Sequence, residues 1–387
     1  LMSGFVFFTG CSFMASRLIP LNDIKSPTGN YEIGTEMFYW IDSSRVEWFS
    51  KNDKDRRRLM VQAWYPADTH GEEKYSWVDY SDERVESITE SFNIPKFMAR
   101  AIDRVDTDTY VNTTPVKDEN KFPVILFSHG FEGFRTQNTT QIQELVSHGY
   151  IVFAFDHTYD ATLTIFPDGT KVKRARKYCY DCEEDDFREV FNPQIDTRIA
   201  DVIFILDKIE QIKSQDLEFS FFNLLDLDRI GIFGHSFGGG TSLAASILDP
   251  RIKSCLSLDG WYVPIISDIY RKDFNKPFLH LGQIQWDKKE NYQILDEILE
   301  SNSGVGYKLS LKGAHHYDFT DSPHISGLAS KLNLSSDLDS EEILDVTNTA
   351  VLGFFDSYLK DLDIEWIDKL KARDNIIINK FSKEDSN

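Results

Sequence analysis

From residue 59 onward the chain alternates short apolar runs with stretches of helical periodicity, the pattern of a mostly parallel sheet covered by helices on both faces. LMVQAWY at 59–65 alternates at period two and runs into Pro66, which predicts a strand near one edge. VILFS (124–128) and YIVFAF (150–155) are continuous apolar runs, as expected of strands buried on both faces. Residues 136–147 between them have helical character and stop before Gly149. RIGIF (229–233) predicts the next central strand, and CLSL (255–258), FLHL (278–281) and YKLSL (307–311) predict three more. Asn192 and Pro193 read as the cap and first turn of a helix whose Ile195, Ile199, Val202, Leu206 and Ile209 share one face. Ile343, Val346, Ala350, Phe354 and Tyr358 repeat that stripe, and both stripes are core packing.

Two segments interrupt the alternation, each a candidate lid or rim of a pocket. Residues 70–120 carry polar loops around the amphipathic SITESFNIPKFMARAI, and residues 157–190 hold a hairpin around Pro167-Asp168-Gly169, then KVKRARK and DCEEDD. Without repeats or a low-complexity linker, residues 23–387 read as one α/β domain with two insertions. The formal charge of −21 and pI near 4.8 argue against nucleic-acid binding, because a polyanion would be repelled. Four cysteines are too few for a disulfide scaffold. Cys179 and Cys182 read as a local disulfide or two free thiols, with no second pair to complete a zinc site, and Cys255 as a buried core residue. Residues 1–22 read as an export segment and arm: the apolar LMSGFVFFTGCSF contains FTGC, which resembles a bacterial lipoprotein cleavage box and predicts lipidation and membrane attachment at Cys11.

The chemistry centres on Gly234-His235-Ser236-Phe237-Gly238, a G-x-S-x-G motif between a predicted strand and a predicted helix. That junction forces the serine into a strained, exposed conformation, and the following helix directs its N–H groups and positive end at the same spot. The expected architecture is therefore the α/β-hydrolase fold, with the order serine, acid, histidine along the chain. A serine hydroxyl needs a histidine to take its proton and a carboxylate to orient that histidine. His280 lies inside FLHL and reads as a satisfied core residue, leaving His315 or His316, after a strand end, as the base. Asp259 follows CLSL and Asp287 follows FLHLGQIQW; position alone does not separate them as the acid. Oxyanion donors are expected from the backbone N–H groups of Phe237 and of Phe131, the latter in the Ser128-His129-Gly130-Phe131 turn.

GNYEIGTEMFYWIDSSR, FPVILFSHGFEGFRTQ, LVSHGYIVFAFDH, IGIFGHSFGGGTSL, LSLDGWYVP and GAHHYDFTD together resemble the platelet-activating-factor acetylhydrolase family, the secreted type and its bacterial relatives, over roughly residues 30–360. The resemblance implies Asp259 as the acid, from the LDxW segment. It implies His316 as the base, three residues after Gly313 with Phe319 and Asp321 downstream, and Phe131 and Phe237 as oxyanion donors. It implies calcium-independent hydrolysis of short or oxidised acyl esters of glycerophospholipids through an acyl-enzyme on Ser236, with no metal or organic cofactor. The alternatives are a general carboxylesterase or polyester hydrolase of the same fold, and, from another class, a non-catalytic lipid- or ester-binding protein. A dienelactone-hydrolase-like enzyme is a weaker match, since that group typically places cysteine at the elbow.

Overall fold

The computed structural model describes residues 18–68, 71, 73–117, 121–175, 184–215, 221–286, 288–332, 334–363 and 365–382, with only the backbone of 184–190. Cys11, Cys179, Cys182 and Asp287 lie outside the described residues.

Strands β1 (Glu32–Val46) and β2 (Arg56–Ala67) form a long antiparallel pair, and β2 runs antiparallel to β6 (Ile151–Asp156). The sheet then continues in parallel through β5 (Phe122–Ser128), β9 (Leu225–His235), β10 (Ile252–Leu258), β11 (Phe278–Gln283) and β12 (Gly306–Leu311). β13 (Ile376–Phe381) closes this side antiparallel. On the far side β4 (Asp106–Val111) lies parallel to β1 and carries β3 (Lys74–Ser76), giving an 11-stranded sheet. A separate two-stranded sheet, β7 (Leu163–Ile165) with β8 (Lys171–Lys173), is the hairpin expected around Gly169.

The chain leaves β5 toward β6 on one side and β9 toward β10 on the other. A crevice therefore opens where these connections diverge, beyond the carboxyl ends of β5 and β9. The central strands read as unbroken apolar runs because both faces are covered. In β5, Val124 and Leu126 enter one core with Ile195, Ile199 and Val202 of α4 (Glu184–Lys213), while Ile125 and Phe127 enter the other with α3 (Thr139–Ser147) and α9 (Ser340–Leu359).

Two expectations are corrected. β2, expected near one edge, is an interior strand with β1, β4 and β3 between it and that edge: its pairing with β6 stops at Trp64, so Pro66 lies past the end of that ladder and its missing N–H breaks nothing there. α4 begins at Glu184, not at Asn192, and holds Pro193 in its interior. The proline forfeits one helical hydrogen bond, while Phe191, Ile195 and Ile199 on either side of it stay buried in the core.

The 70–120 insertion adds β3 and β4 to the sheet and folds α1 (Ser81–Phe92) and α2 (Lys96–Ala101) over an apolar cavity lined by Trp77, Ile88, Phe92, Phe134, Tyr317 and Ile325. Charge helps to dock it. The Asp79 carboxylate lies 2.5 Å from Arg135 and 2.8 Å from Arg84, and Arg135 also pairs with Asp156 at 2.7 Å. Burial raises the Asp79 pKa, but the two guanidinium groups outweigh it and hold the group at about 2. An unfolded aspartate titrates near about 4, so this pairing stabilises the fold above that value and the benefit is lost as pH falls toward the folded pKa. Asp79→Asn is therefore expected to cost about 2 kcal/mol at pH 7 and to flatten the loss of stability on acidification below about pH 5. Urea unfolding at a series of pH values measures both, and parallel profiles for the two proteins would refute the pairing.

Candidate active site

β9 ends at His235, and Ser236 leaves the strand with φ +56° and ψ −121°, outside the regions ordinarily open to an L-residue. Helix α5 (Phe237–Leu248) starts at the next residue. The turn is held from several sides. The Ser236 N–H donates to the Leu258 carbonyl at 2.9 Å, and the Ser236 carbonyl accepts from Gly239 at 2.9 Å and Trp261 at 2.8 Å. A Cβ on Gly238 would lie 1.9 Å from the Ser128 carbonyl oxygen, and one on Gly234 would lie 2.3 Å from that of Gly238. Glycine is needed at both positions because backbones touch there.

Asp259 follows β10 directly, with φ +43°, and is wholly buried. Its Oδ1 accepts from the Gln283 N–H at 3.1 Å, Trp286 Nε1 at 3.1 Å and the Tyr292 hydroxyl at 3.2 Å. Its Oδ2 accepts from Gln283 Nε2 at 2.9 Å and faces His316 Nδ1 at 2.6 Å. Burial alone would raise the carboxyl pKa, but the hydrogen bond and charge of His316 outweigh it and the net shift is downward. The ionised acid keeps a proton on Nδ1 of His316 and leaves Nε2 for proton exchange. Gln283, Trp286 and Tyr292 carry no motif, and nothing in the sequence marked them.

His316 opens a short 3₁₀ turn (His316–Phe319) after β12, its ring 5.1 Å from that of Trp286 and 4.6 Å from that of His235. His315 is exposed, and its backbone N–H caps the turn through Asp318 Oδ2 at 2.8 Å. The structure therefore brings His316, and not its neighbour, to Asp259. Asp321 anchors the same loop by accepting from the Thr139 N–H at 2.7 Å, the Thr140 N–H at 3.1 Å and Trp77 Nε1 at 2.9 Å. His280 is a buried core residue with Nδ1 2.8 Å from the Tyr262 hydroxyl, and burial drops its pKa to about 3. The expectation that it is satisfied is corrected: its Nε2 has no hydrogen-bond partner among the described residues. Cys255 is buried as expected, and burial pushes its thiol up to about 12.

On the other wall, the carbonyl of Gly130 meets the Gly133 N–H at 3.0 Å and His129 Nδ1 at 2.6 Å. Because the peptide is trans, the N–H of Phe131 points to the opposite side. The Phe237 N–H lies at the first position of α5, where a helix supplies no acceptor. Beneath this loop runs a second Ser–His–Asp chain: Ser128 Oγ is 3.0 Å from His157 Nε2, and His157 Nδ1 is 2.8 Å from Asp201 Oδ2. The His157 N–H donates to His129 Nε2 at 3.0 Å, which puts the His129 proton on Nδ1, facing Gly130. Among the described residues no helix is long and apolar enough to cross a membrane, and no group of three or more His, Cys, Asp or Glu is placed to hold a metal ion.

The elbow's tolerance is testable. Gly238→Ala is expected to destabilise the protein by about 3 kcal/mol, at the upper end of overpacking costs. Gly327→Ala, where an added Cβ meets nothing within 4 Å, is expected to stay within about 0.5 kcal/mol of the parent. Denaturant unfolding of both variants checks this, and equal stabilities would overturn the close-approach argument.

The family model described as platelet-activating factor acetylhydrolase, isoform II, matches residues 20–376. A platelet-activating factor acetylhydrolase of Canis lupus familiaris is 26% identical over 94% of this chain and 84% of its own length. A probable 1-alkyl-2-acetylglycerophosphocholine esterase of Arthroderma benhamiae is 24% identical over 81% of this chain and 79% of its own. Among solved structures, a ferulic acid esterase from Streptomyces cinnamoneus is similar at a TM-score of 0.73 and 25% identity, covering 92% of this chain and 99% of that one. With a family match across most of its length and a solved esterase of the same architecture, the chain belongs to the platelet-activating factor acetylhydrolase, isoform II, family and is a serine ester hydrolase of the α/β-hydrolase fold.

Proposed function

We propose that the chain hydrolyses the ester of a short acyl group on a glycerophospholipid through an acyl-enzyme on Ser236. The observation that carries the reading is the 2.6 Å contact of His316 Nδ1 with the buried carboxylate of Asp259, on a loop whose histidine ring lies 4.6 Å from that of His235, the residue before Ser236. His316 Nε2 takes the Ser236 hydroxyl proton as Oγ attacks the ester carbonyl carbon. The N–H groups of Phe131 and Phe237 receive the oxyanion. The leaving alcohol departs with the proton from His316, and water, deprotonated by the same ring, releases the acid and frees Ser236.

The relatives' names, an acetylhydrolase of platelet-activating factor and an esterase of 1-alkyl-2-acetylglycerophosphocholine, support the phospholipid substrate. So does the apolar cavity bordered by Tyr317, the neighbour of His316, which suits an alkyl chain. The ferulic acid esterase likeness favours a second reading, a general carboxylesterase.

A panel of acetyl-phospholipids, long-chain phospholipids and p-nitrophenyl esters, assayed with calcium chelated, separates the readings; preference for the acetyl-phospholipid is expected. Ser236→Ala is expected to lower kcat by about 10⁶-fold and to abolish fluorophosphonate labelling, and Asp259→Asn to lower kcat by about 10⁴-fold. A folded parent that neither labels nor turns over any ester would instead be a binding protein. We also infer, from FTGC alone, export with lipidation at Cys11. Cys11→Ser is then expected to move the protein from the membrane to the soluble fraction, and unchanged fractionation would refute it.

A further inference from the structure

Four groups from three distant segments form one hydrogen-bonded line across the floor of the crevice. The backbone N–H of Gly130 donates to Gln137 Oε1 at 2.9 Å. Gln137 Nε2 lies 3.0 Å from His235 Nδ1, and His235 Nε2 lies 2.9 Å from the backbone carbonyl oxygen of His316. Gln137 and His235 are both buried, so water does not compete for these bonds.

Donor and acceptor roles along the line admit one assignment. The carbonyl of His316 can only accept, so His235 carries its proton on Nε2. Its Nδ1 must then accept, which makes Gln137 Nε2 the donor and leaves Oε1 for the Gly130 N–H. Each contact fixes the next. Burial lowers the His235 pKa to about 3, in keeping with a neutral ring and a single tautomer.

The two ends of the line are the working parts of the proposed mechanism. At one end Gln137 holds the Gly130 N–H, while Gly133 and His129 hold the Gly130 carbonyl. The peptide that carries the Phe131 N–H is thereby bracketed on both sides. At the other end His235 holds the main chain of His316, and Asp259 holds its ring. Space is tight enough for small shifts to pass along: a Cβ on Gly130 would lie 2.9 Å from His235 Nδ1 and 3.4 Å from the Ser236 Cβ.

We propose that Gln137 and His235 are positioning residues that set the oxyanion-donor loop and the base loop in register with each other, acting as one unit. This rests on the functional reading above, in which Phe131 supplies a donor and His316 is the base. Two buried polar groups that merely stabilise the fold would act separately and would not favour kcat over KM.

The test uses the full chain and p-nitrophenyl acetate. Gln137→Leu and His235→Phe are each expected to lower kcat by about 10- to 100-fold with KM within about twofold, the scale of a small misplacement of reacting groups. The double variant is expected to be no more than about threefold worse than the poorer single, because either break severs the same line. Losses that multiply in the double variant, or folded singles that match the parent in kcat, would overturn the proposal. Should Gln137→Leu fail to fold, Gln137→Met keeps the side-chain length and carries the same expectation. A readout independent of turnover is the ¹⁵N NMR tautomer of His235 in the parent: Nε2–H is expected, and Nδ1–H would sink the proposal. A parent that hydrolyses no ester takes the functional reading and this one down together, whereas an active parent with parent-like variants removes this one alone.

Discussion

Everything near the crevice depends on a single residue held in an uncomfortable backbone conformation. A non-glycine residue at φ +56° costs about 1–3 kcal/mol and persists only where its surroundings leave no alternative. Around Ser236 the surroundings are backbone. Its N–H is committed to Leu258 at the end of β10, its carbonyl to Gly239 and Trp261, and the glycines on either side pack against the carbonyl of Ser128 at the end of β5. Three neighbouring strands thus converge on one turn. Their order in the sheet is a precondition for the strain, and Ser236 itself is buried at this junction rather than exposed as the motif alone suggested.

The loops that complete the site are fastened by buried acidic side chains as well as by apolar contacts such as those of Phe319 and Ile325. Asp259 takes donors from Gln283, Trp286, Tyr292 and His316; Asp321 takes them from the first turn of α3 and from Trp77; Asp201 takes them from Arg57 and His157. A carboxylate with several donors is directional where an apolar contact is not, and each of these joins a loop to a different element. Removing one partner strands a polar group in a dry place, which costs stability; burial raises the Asp321 pKa to about 7, so its hold rests on hydrogen bonds more than on charge.

Sequence carried the skeleton of this site because its parts sit at strand ends. VILFS, RIGIF, CLSL and YKLSL are apolar runs that announce their strands, and Gly234 and Gly238 announce the turn through the side chains they lack. Which aspartate and which histidine meet was not legible from spacing, because Asp259 and His316 are joined across two strands and each had a rival at a similar position. The resemblance to a family made that choice, and the contact between them agrees with it. Tyr292 and Trp286 belong to no motif, and Gln137 and His157 close two of the segments that carry the resemblance without a role being assigned to either; all four matter through contacts the fold creates. Pro193 misled for a simpler reason: proline is favoured at a helix start, yet a long helix with enough buried surface can absorb one in its middle.

Two Ser–His–Asp chains lie close together in this molecule, and comparing them shows what hydrogen-bond connectivity leaves undetermined. Ser128–His157–Asp201 has the right atoms at 3.0 and 2.8 Å, but Arg57 grips Asp201 at 2.9 and 2.6 Å and supplies a full positive charge to the same carboxylate. A protonated His157 would find that charge already answered. Burial and the Arg198 charge hold its pKa down to about 3, which makes the ring a weak base near neutrality. All three residues are sealed from solvent, and Ser128 ends an ordinary strand. Asp259 has His316 as its ion-pair partner, so its charge is available to an imidazolium as that forms. The two arrangements therefore differ in what answers the carboxylate: a guanidinium at Asp201, and the His316 ring at Asp259, beside the strained turn at Ser236.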